Sequence, residues 1–330
     1  MAFRLAIVGL GMAVTPHAKS LLDLKQRASI AYAYSPTRER RAKFAERFDF
    51  PLTDRLATII EDRSVDAVLI LTPPSTHLEL VERFAAAGKH ILLEKPLEIT
   101  LQRAQRLVAS CKRVTLGVVL QHRFRPAAAK LHDLVGGGRL GQLVSASASI
   151  PNWRPQSYYD QPGRGTKARD GGGVLLTQGI HTLDLLCWYA GEATEARSLW
   201  TTTPVHRMET EDLACAALRF SSGALGTVHA TTAAYPGFPE RIELIGTKGT
   251  ALLEGTALRA QFADGSSEEL KTEAGGGGTG ADPMAFPHDW HRDLLADFLD
   301  AIEKRRAPRS SGEETLKVHR LIDRILRSGG

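Results

Sequence analysis

The chain of 330 residues reads as an α/β protein: a doubly wound parallel sheet, followed by an α/β domain with an open, mainly antiparallel sheet. Three observations predict this. In the first third, short and wholly apolar runs alternate with helical patterns, as in strands covered on both faces. Later runs alternate polar with apolar residues and are parted by turn dipeptides, as in half-exposed antiparallel strands. Between the first run and the first helix lies a glycine turn, Gly9-Leu10-Gly11, a setting suited to nucleotide phosphate.

The elements follow in order. Phe3–Val8 is a buried strand, and Thr15–Leu24 a helix with Ala18, Leu21 and Leu22 on one face. Ser29–Tyr34 is the second strand, and Thr37–Phe48 the second helix. Asp66–Leu71 is a buried strand ended by Thr72-Pro73-Pro74, with Ser75 placed to cap the next helix. His90–Leu93, a helix at Leu101–Cys111 and a strand at Val114–Leu120 complete a domain over residues 1–122. In the second domain, 123–330, a helix is expected at Val174–Tyr189 and strands at Leu143–Ile150, Leu213–Phe220, Ala224–Thr232 and Arg241–Ile245. Turns are expected at Ser222-Gly223 and Thr247-Lys248-Gly249. Ala274–Gly280 cannot pack a core and is expected to be a loop, a lid being one use for it. Two helices, around His291–Glu303 and Gly312–Arg327, end the chain, with room to pack back on the first domain.

Composition bounds the function. Apolar residues make up 43% and charged residues 24%, ordinary for a globular protein. The net charge of +5 is scattered, and no aromatic interleaving accompanies it, so nucleic acid is not the expected partner. No apolar run is long enough to span a membrane, and none at the start suits a signal peptide. Cys111, Cys187 and Cys215 lack metal-ligand spacing, so buried, reduced thiols and a cytoplasmic location are expected.

Gly9 would permit the tight turn, Gly11 would let a pyrophosphate approach, and Met12 follows them in the turn. The usual third small position is Val14. After the second strand come Ser35-Pro36-Thr37-Arg38, with no acid to hold a ribose hydroxyl. Hydroxyls and an arginine there suit a 2′-phosphate, so NADP is preferred over NAD, although Ser35 and Thr37 could equally be helix caps. Glu94-Lys95-Pro96 puts a lysine at the carboxyl end of a parallel strand, where ligands of such sheets collect.

Together with Gly9-Leu10-Gly11, the stretches Thr72–His77, Glu94–Pro96, Gln121–Phe124, Gly171–Gly173, Gly179–Asp184, Ile245–Gly249 and Asp297–Ile302 resemble the Gfo/Idh/MocA oxidoreductases nearly end to end. That resemblance implies an amino-terminal Rossmann domain and a carboxyl-terminal domain whose open sheet mediates homodimers or homotetramers. It implies hydride transfer between NAD(P) and a secondary alcohol or ketone of a sugar-like substrate. Lys95 would be the catalytic lysine, and Thr72, Pro73, Pro74, His77, Glu94 and Gln121 would lie along the cofactor. His181 matches the family's other acid/base residue, with Asp184 beside it. Thr177 stands where several family dehydrogenases carry Asp, so a proton relay would use Lys95, His181 and water. Two other readings stay open: an NAD-dependent glycoside hydrolase or lyase, and a non-catalytic nucleotide sensor.

Arg123, Asp184 and the segment carrying Trp153, Arg154, Tyr158, Arg164 and Lys167 are candidate substrate contacts. Aromatic faces could stack on a sugar ring while cations grip a carboxylate or phosphate. An exposed arm with solvated cations is the alternative.

Overall fold

The computed structural model describes residues 2–271 and 287–329. Contacts divide the chain into two units, residues 1–121 with 288–315, and 122–287 with 316–330. The stretch Ala274–Gly280 lies outside the described residues.

The first unit holds β1 (Phe3–Val8), β2 (Ala28–Tyr34), β3 (Leu52–Thr53), β4 (Ala67–Ile70), β5 (His90–Leu93) and β6 (Leu116–Val118). Its helices are α1 (Val14–Asp23), α2 (Arg38–Ala45), α3 (Leu56–Glu61), α4 (His77–Ala86) and α5 (Leu101–Ser110). All strand pairs are parallel, in the order β3-β2-β1-β4-β5-β6. The order reverses at β1, so a crevice opens beyond the carboxyl ends of β1 and β4. Leu5–Val8, Val68–Ile70 and Ile91–Leu93 are buried throughout, the reason for their unbroken apolar runs. Ser75 does not cap α4. It falls within a 3-10 turn, Pro74–Thr76, and Thr76 turns its hydroxyl back to Thr72 Oγ1 and Pro73 O, each at 2.8 Å.

The second unit contains α6 (Pro126–Gly136), β7 (Leu143–Pro151), the short turns α7 (Gln156–Tyr159) and α8 (Lys167–Asp170), α9 (Val174–Thr177) and α10 (Ile180–Ala190). Then come β8 (Ala193–Thr201), β9 (Leu213–Phe220), β10 (Leu225–Thr231), β11 (Arg241–Gly246), β12 (Gly249–Glu254), β13 (Ala257–Phe262) and β14 (Ser267–Leu270). The sheet order is β14-β13-β12-β11-β7-β10-β9-β8, antiparallel except where β10 pairs with β7. One face, with Ile150, Leu218, Val228, Leu244 and Leu253, is buried. The other is open and carries exposed Leu199, Leu225 and Ile245 among small and polar residues. Cys215 stands on that open face, so it is exposed, contrary to expectation, whereas Cys111 and Cys187 are buried. Burial pushes the Cys111 thiol up to about 11.

The helix expected at Val174–Tyr189 is broken. The Gly179 N–H donates to Val174 O at 2.7 Å, closing the first helical turn one residue late, and α10 restarts at Ile180. Thr177 therefore ends α9 and His181 belongs to α10, so no unbroken helix carries both.

Two helices close the chain, α11 (Asp289–Glu303) and α12 (Gly312–Ser328). In the first unit, α11 packs on α1, and Ser310 bonds Val118 through both its carbonyl and its hydroxyl, beside edge strand β6. In the second, Trp200 of β8 donates its indole N–H to Leu326 O at 3.0 Å. Among the described residues no helix is long and apolar enough to cross a membrane.

Candidate functional site

In the first unit the predicted cofactor residues gather at the carboxyl ends of the strands. Gly9 has φ of +109°, and a Cβ there would lie 2.9 Å from the Leu71 carbonyl, so this close crossing of the β1 and β4 ends admits only glycine. A Cβ at Gly11 would meet nothing within 4 Å, and Met12 is exposed. The opening at the α1 amino terminus thus fits a pyrophosphate. At the end of β2, Ser35 is buried and its hydroxyl accepts from the Thr37 N–H at 3.3 Å. Arg41 donates to Ser35 O at 2.6 Å and reaches Asp54 at 3.4 Å. Arg38 is exposed and enters no ion pair among the described residues. Arg41 belongs to this corner too, but in the sequence it reads as one more charge on a helix face.

His77 is fully buried, with Nε2 2.9 Å from Thr72 O and Nδ1 3.0 Å from Pro96 O. Burial lowers its basicity. It ties the turn after β4 to the turn after β5, so what it offers a cofactor is the position of Thr72–Pro74 and Lys95–Pro96.

Glu94 is gripped at both oxygens. His17 Nε2 lies 3.3 Å from Oε1, and the Lys95 N–H donates to Oε2 at 2.8 Å. His291, brought by α11, meets His17 edge-on with ring centroids 4.9 Å apart. Donor atoms of His17, Glu94 and His291 lie within 4.8 Å of one another, a set that suits a divalent cation by type. Burial holds His291 well below the usual histidine range, and the neighbouring Lys95 ammonium lowers it further. That ammonium opposes a second positive charge, so the trio reads as a tether for the Glu94–Lys95 turn, with His17 bonded to Glu94 and His291 packed on His17. The sequence hides both histidines, although His17 shares the inward face of α1 with Ala18 and Leu21. Lys95 itself is half-buried. A separate cavity of about 430 Å³, lined by residues including Phe3, Arg63, Lys89 and His90, lies at the amino ends of β1 and β5, the wrong edge for a cofactor.

In the second unit, His181 lies near the start of α10 and is 9% exposed. His122 stacks on it with centroids 4.4 Å apart and planes 27° from parallel. Arg123 and Asp184, both expected at substrate, face each other through two bonds of 2.7 Å, each side chain 1% exposed. Thr177 turns its hydroxyl to Gly173 O at 2.6 Å and to Gln178 Oε1. The triple glycine lies against Glu211, whose carboxylate accepts from the Gly173 and Leu175 N–H groups at 2.9 and 3.1 Å. A Cβ on Gly173 would fall 1.7 Å from Glu211 O.

The aromatic and basic segment is folded rather than extended. Arg164 donates to the Tyr158 hydroxyl at 2.9 Å and lies 4.7 Å over its ring, while Arg154 lies 5.8 Å from the same ring. Burial lowers the Arg154 pKa. Trp153 meets Tyr235 edge-on at 5.4 Å. Buried His206 pairs with Asp212 at 2.7 Å and reaches Arg154 O at 2.8 Å, fixing this backbone. The Lys167 side chain is exposed, and its backbone N–H is held by Glu209 at 2.9 Å.

Two family models match: the oxidoreductase family with an NAD-binding Rossmann fold over residues 3–122, and the GFO/IDH/MocA C-terminal domain over residues 128–252. The chain belongs to the Gfo/Idh/MocA family. Myo-inositol 2-dehydrogenase of Thermotoga maritima is 29% identical, over 94% of this chain and 91% of the relative. The scyllo-inositol 2-dehydrogenase (NAD(+)) of Bacillus subtilis is also 29% identical, over 81% and 79%. The WlbA dehydrogenase of Bordetella pertussis, solved with NADH and UDP-GlcNAcA, superposes with a TM-score of 0.85 at 26% identity, over 99% of this chain and 96% of that one. This protein is accordingly a nicotinamide-dependent oxidoreductase acting on CH–OH groups.

Proposed function

We propose that the enzyme moves a hydride between a nicotinamide cofactor, NADP in preference to NAD, and a secondary alcohol of an acidic sugar. The observation that carries the reading is Lys95, half-buried at the carboxyl end of β5, its backbone anchored through Glu94 to His17. Gly9, Gly11, Met12, Thr72–Pro74, Glu94 and Gln121 would hold the cofactor, which accepts or returns the hydride. Lys95 would hydrogen-bond the substrate hydroxyl, stabilise the alkoxide that develops as its proton leaves, and pass that proton on. His181 is the second acid/base group. Thr177 orients water, having no basicity at neutral pH.

NADP preference is supported by the acid-free turn Ser35–Arg38 and by Arg38 and Arg41 beside it. An acidic substrate is supported by Arg154 and Arg164, both set on Tyr158, with Trp153 and Lys167 on the same segment. Arg123 and Asp184, buried together, would support His181 from behind. Copies of the chain would assemble through the open sheet face carrying Leu199, Leu225 and Ile245, which light scattering would report as a dimer or tetramer.

The test is Lys95→Ala with NAD or NADP and a panel of glucuronate, glucose and myo-inositol. Turnover should fall at least about a hundredfold with cofactor affinity unchanged. Undiminished turnover refutes the role of Lys95. Equal turnover of glucuronate and myo-inositol refutes the acidic substrate, and tighter NAD than NADP in calorimetry refutes the cofactor preference.

A further inference from the structure

We infer that His122 is a positioning residue for His181, kept uncharged by Arg125 so that it forms a neutral platform beneath the second imidazole. The inference rests on the reading of His181 as an acid/base group. His122 Nε2 is hydrogen-bonded to Arg125 Nη2. A guanidinium has donors only, so this ring nitrogen offers its lone pair and cannot take a proton while the bond lasts. The ring hydrogen then sits on Nδ1, which faces Glu240 Oε2 at 3.9 Å.

Each partner is anchored in turn. Arg125 is buried and reaches Gly255 O at 3.4 Å; burial lowers its pKa to about 10, which leaves it charged at neutral pH. The Glu240 carboxylate accepts from Asn152 Nδ2 at 3.2 Å and from the hydroxyl of Thr182, the residue after His181. One turn along α10, the charges of Arg123 and Asp184 satisfy each other. Arg125 and Glu240 thus lie against His122, and the Arg123–Asp184 pair lies one turn along α10 from His181. Two imidazolium rings at 4.4 Å would repel, so a chargeable His122 would make His181 a weaker base. With Arg125 occupying the lone pair, His181 can take a proton without a like charge stacked upon it.

The test is histidine NMR on the full chain labelled at the ring carbon between the two nitrogens, with signals assigned by their loss in His122→Phe and His181→Asn. Between about pH 5.5 and 8 the His122 signal should stay flat while that of His181 moves. In Arg125→Met, His122 should begin to titrate and the His181 midpoint should fall by about half a unit or more. Adding His122→Phe to Arg125→Met should restore the His181 midpoint, a rescue that general structural damage would not give. A titrating His122 in the unaltered protein, or an Arg125→Met protein with both signals unchanged, overturns the inference. Should Arg125→Met not fold, His122→Phe alone decides: an unmoved His181 midpoint supports the neutral platform, and a rise of about half a unit refutes it. Failure of the functional reading shows separately, as His181→Asn turning over the substrate panel like the unaltered protein.

Discussion

Removing the Asp184 carboxylate should damage the second unit severely. Its two oxygens take the Arg123 guanidinium at 2.7 Å each, both side chains are 1% exposed, and the guanidinium also lies 5.1 Å over the Trp188 ring. Asp184→Ala takes from a buried cation the carboxylate it is bonded to, and removing one partner of a buried pair costs about 3–5 kcal/mol. For a unit of this size each kcal/mol lowers the melting temperature by about 2–4 °C, so the transition should drop by about 6–20 °C in scanning calorimetry. The double variant Arg123→Met/Asp184→Leu should recover most of the loss, because two apolar side chains of similar volume leave no charge stranded. A drop below about 2 °C for the single variant, or a double variant equally unstable, refutes the reasoning.

Three further outcomes are expected. Gly173→Ala should give little folded protein by circular dichroism, since its methyl would sit 1.7 Å from the Glu211 carbonyl oxygen; native yield and melting temperature would contradict the crossing described. His17→Ala should slow turnover about tenfold with cofactor affinity unchanged, and His17→Gln, which keeps a donor for Glu94, should recover part of it. Buried His319 has its pKa lowered to about 4 by desolvation, from an ordinary 6.5. Between those values the unfolded chain holds a proton that the folded chain lacks, so stability should fall as pH drops, by roughly 1.4 kcal/mol per pH unit. Urea unfolding at several pH values should show a shallower slope in His319→Leu; an unchanged slope would contradict a neutral buried ring.

The parallel sheet was legible because burial on both faces leaves an unbroken apolar signature in Leu5–Val8, Val68–Ile70 and Ile91–Leu93. Strands β8 and β14, reading ATEARSLWT and SEEL, were hidden because charged residues interrupt any apolar alternation, Glu195 and Arg197 in the first and Glu268 and Glu269 in the second. The break at Gly179 was hidden because an apolar run looks alike whether or not its helical register slips by one residue. At the site, glycines and the Glu94-Lys95 turn announced themselves by local pattern. Partnerships made across long separations did not: His17 with His291, and His122 with His181 and Glu240. Each belongs to tertiary structure alone, and a single histidine in a helix gives no sign of what it will face.

The closing helix of the first unit has a consequence for biogenesis. A ribosome that has released only residues 1–121 has produced a sheet whose α1 flank and outer strand still lack their cover, because α11 and Ser310–Ser311 follow residues 122–287 in the chain. The amino-terminal segment must therefore wait, part-dressed, while residues 122–287 of the other unit are synthesised. Its exposed rim is where a chaperone would be needed most.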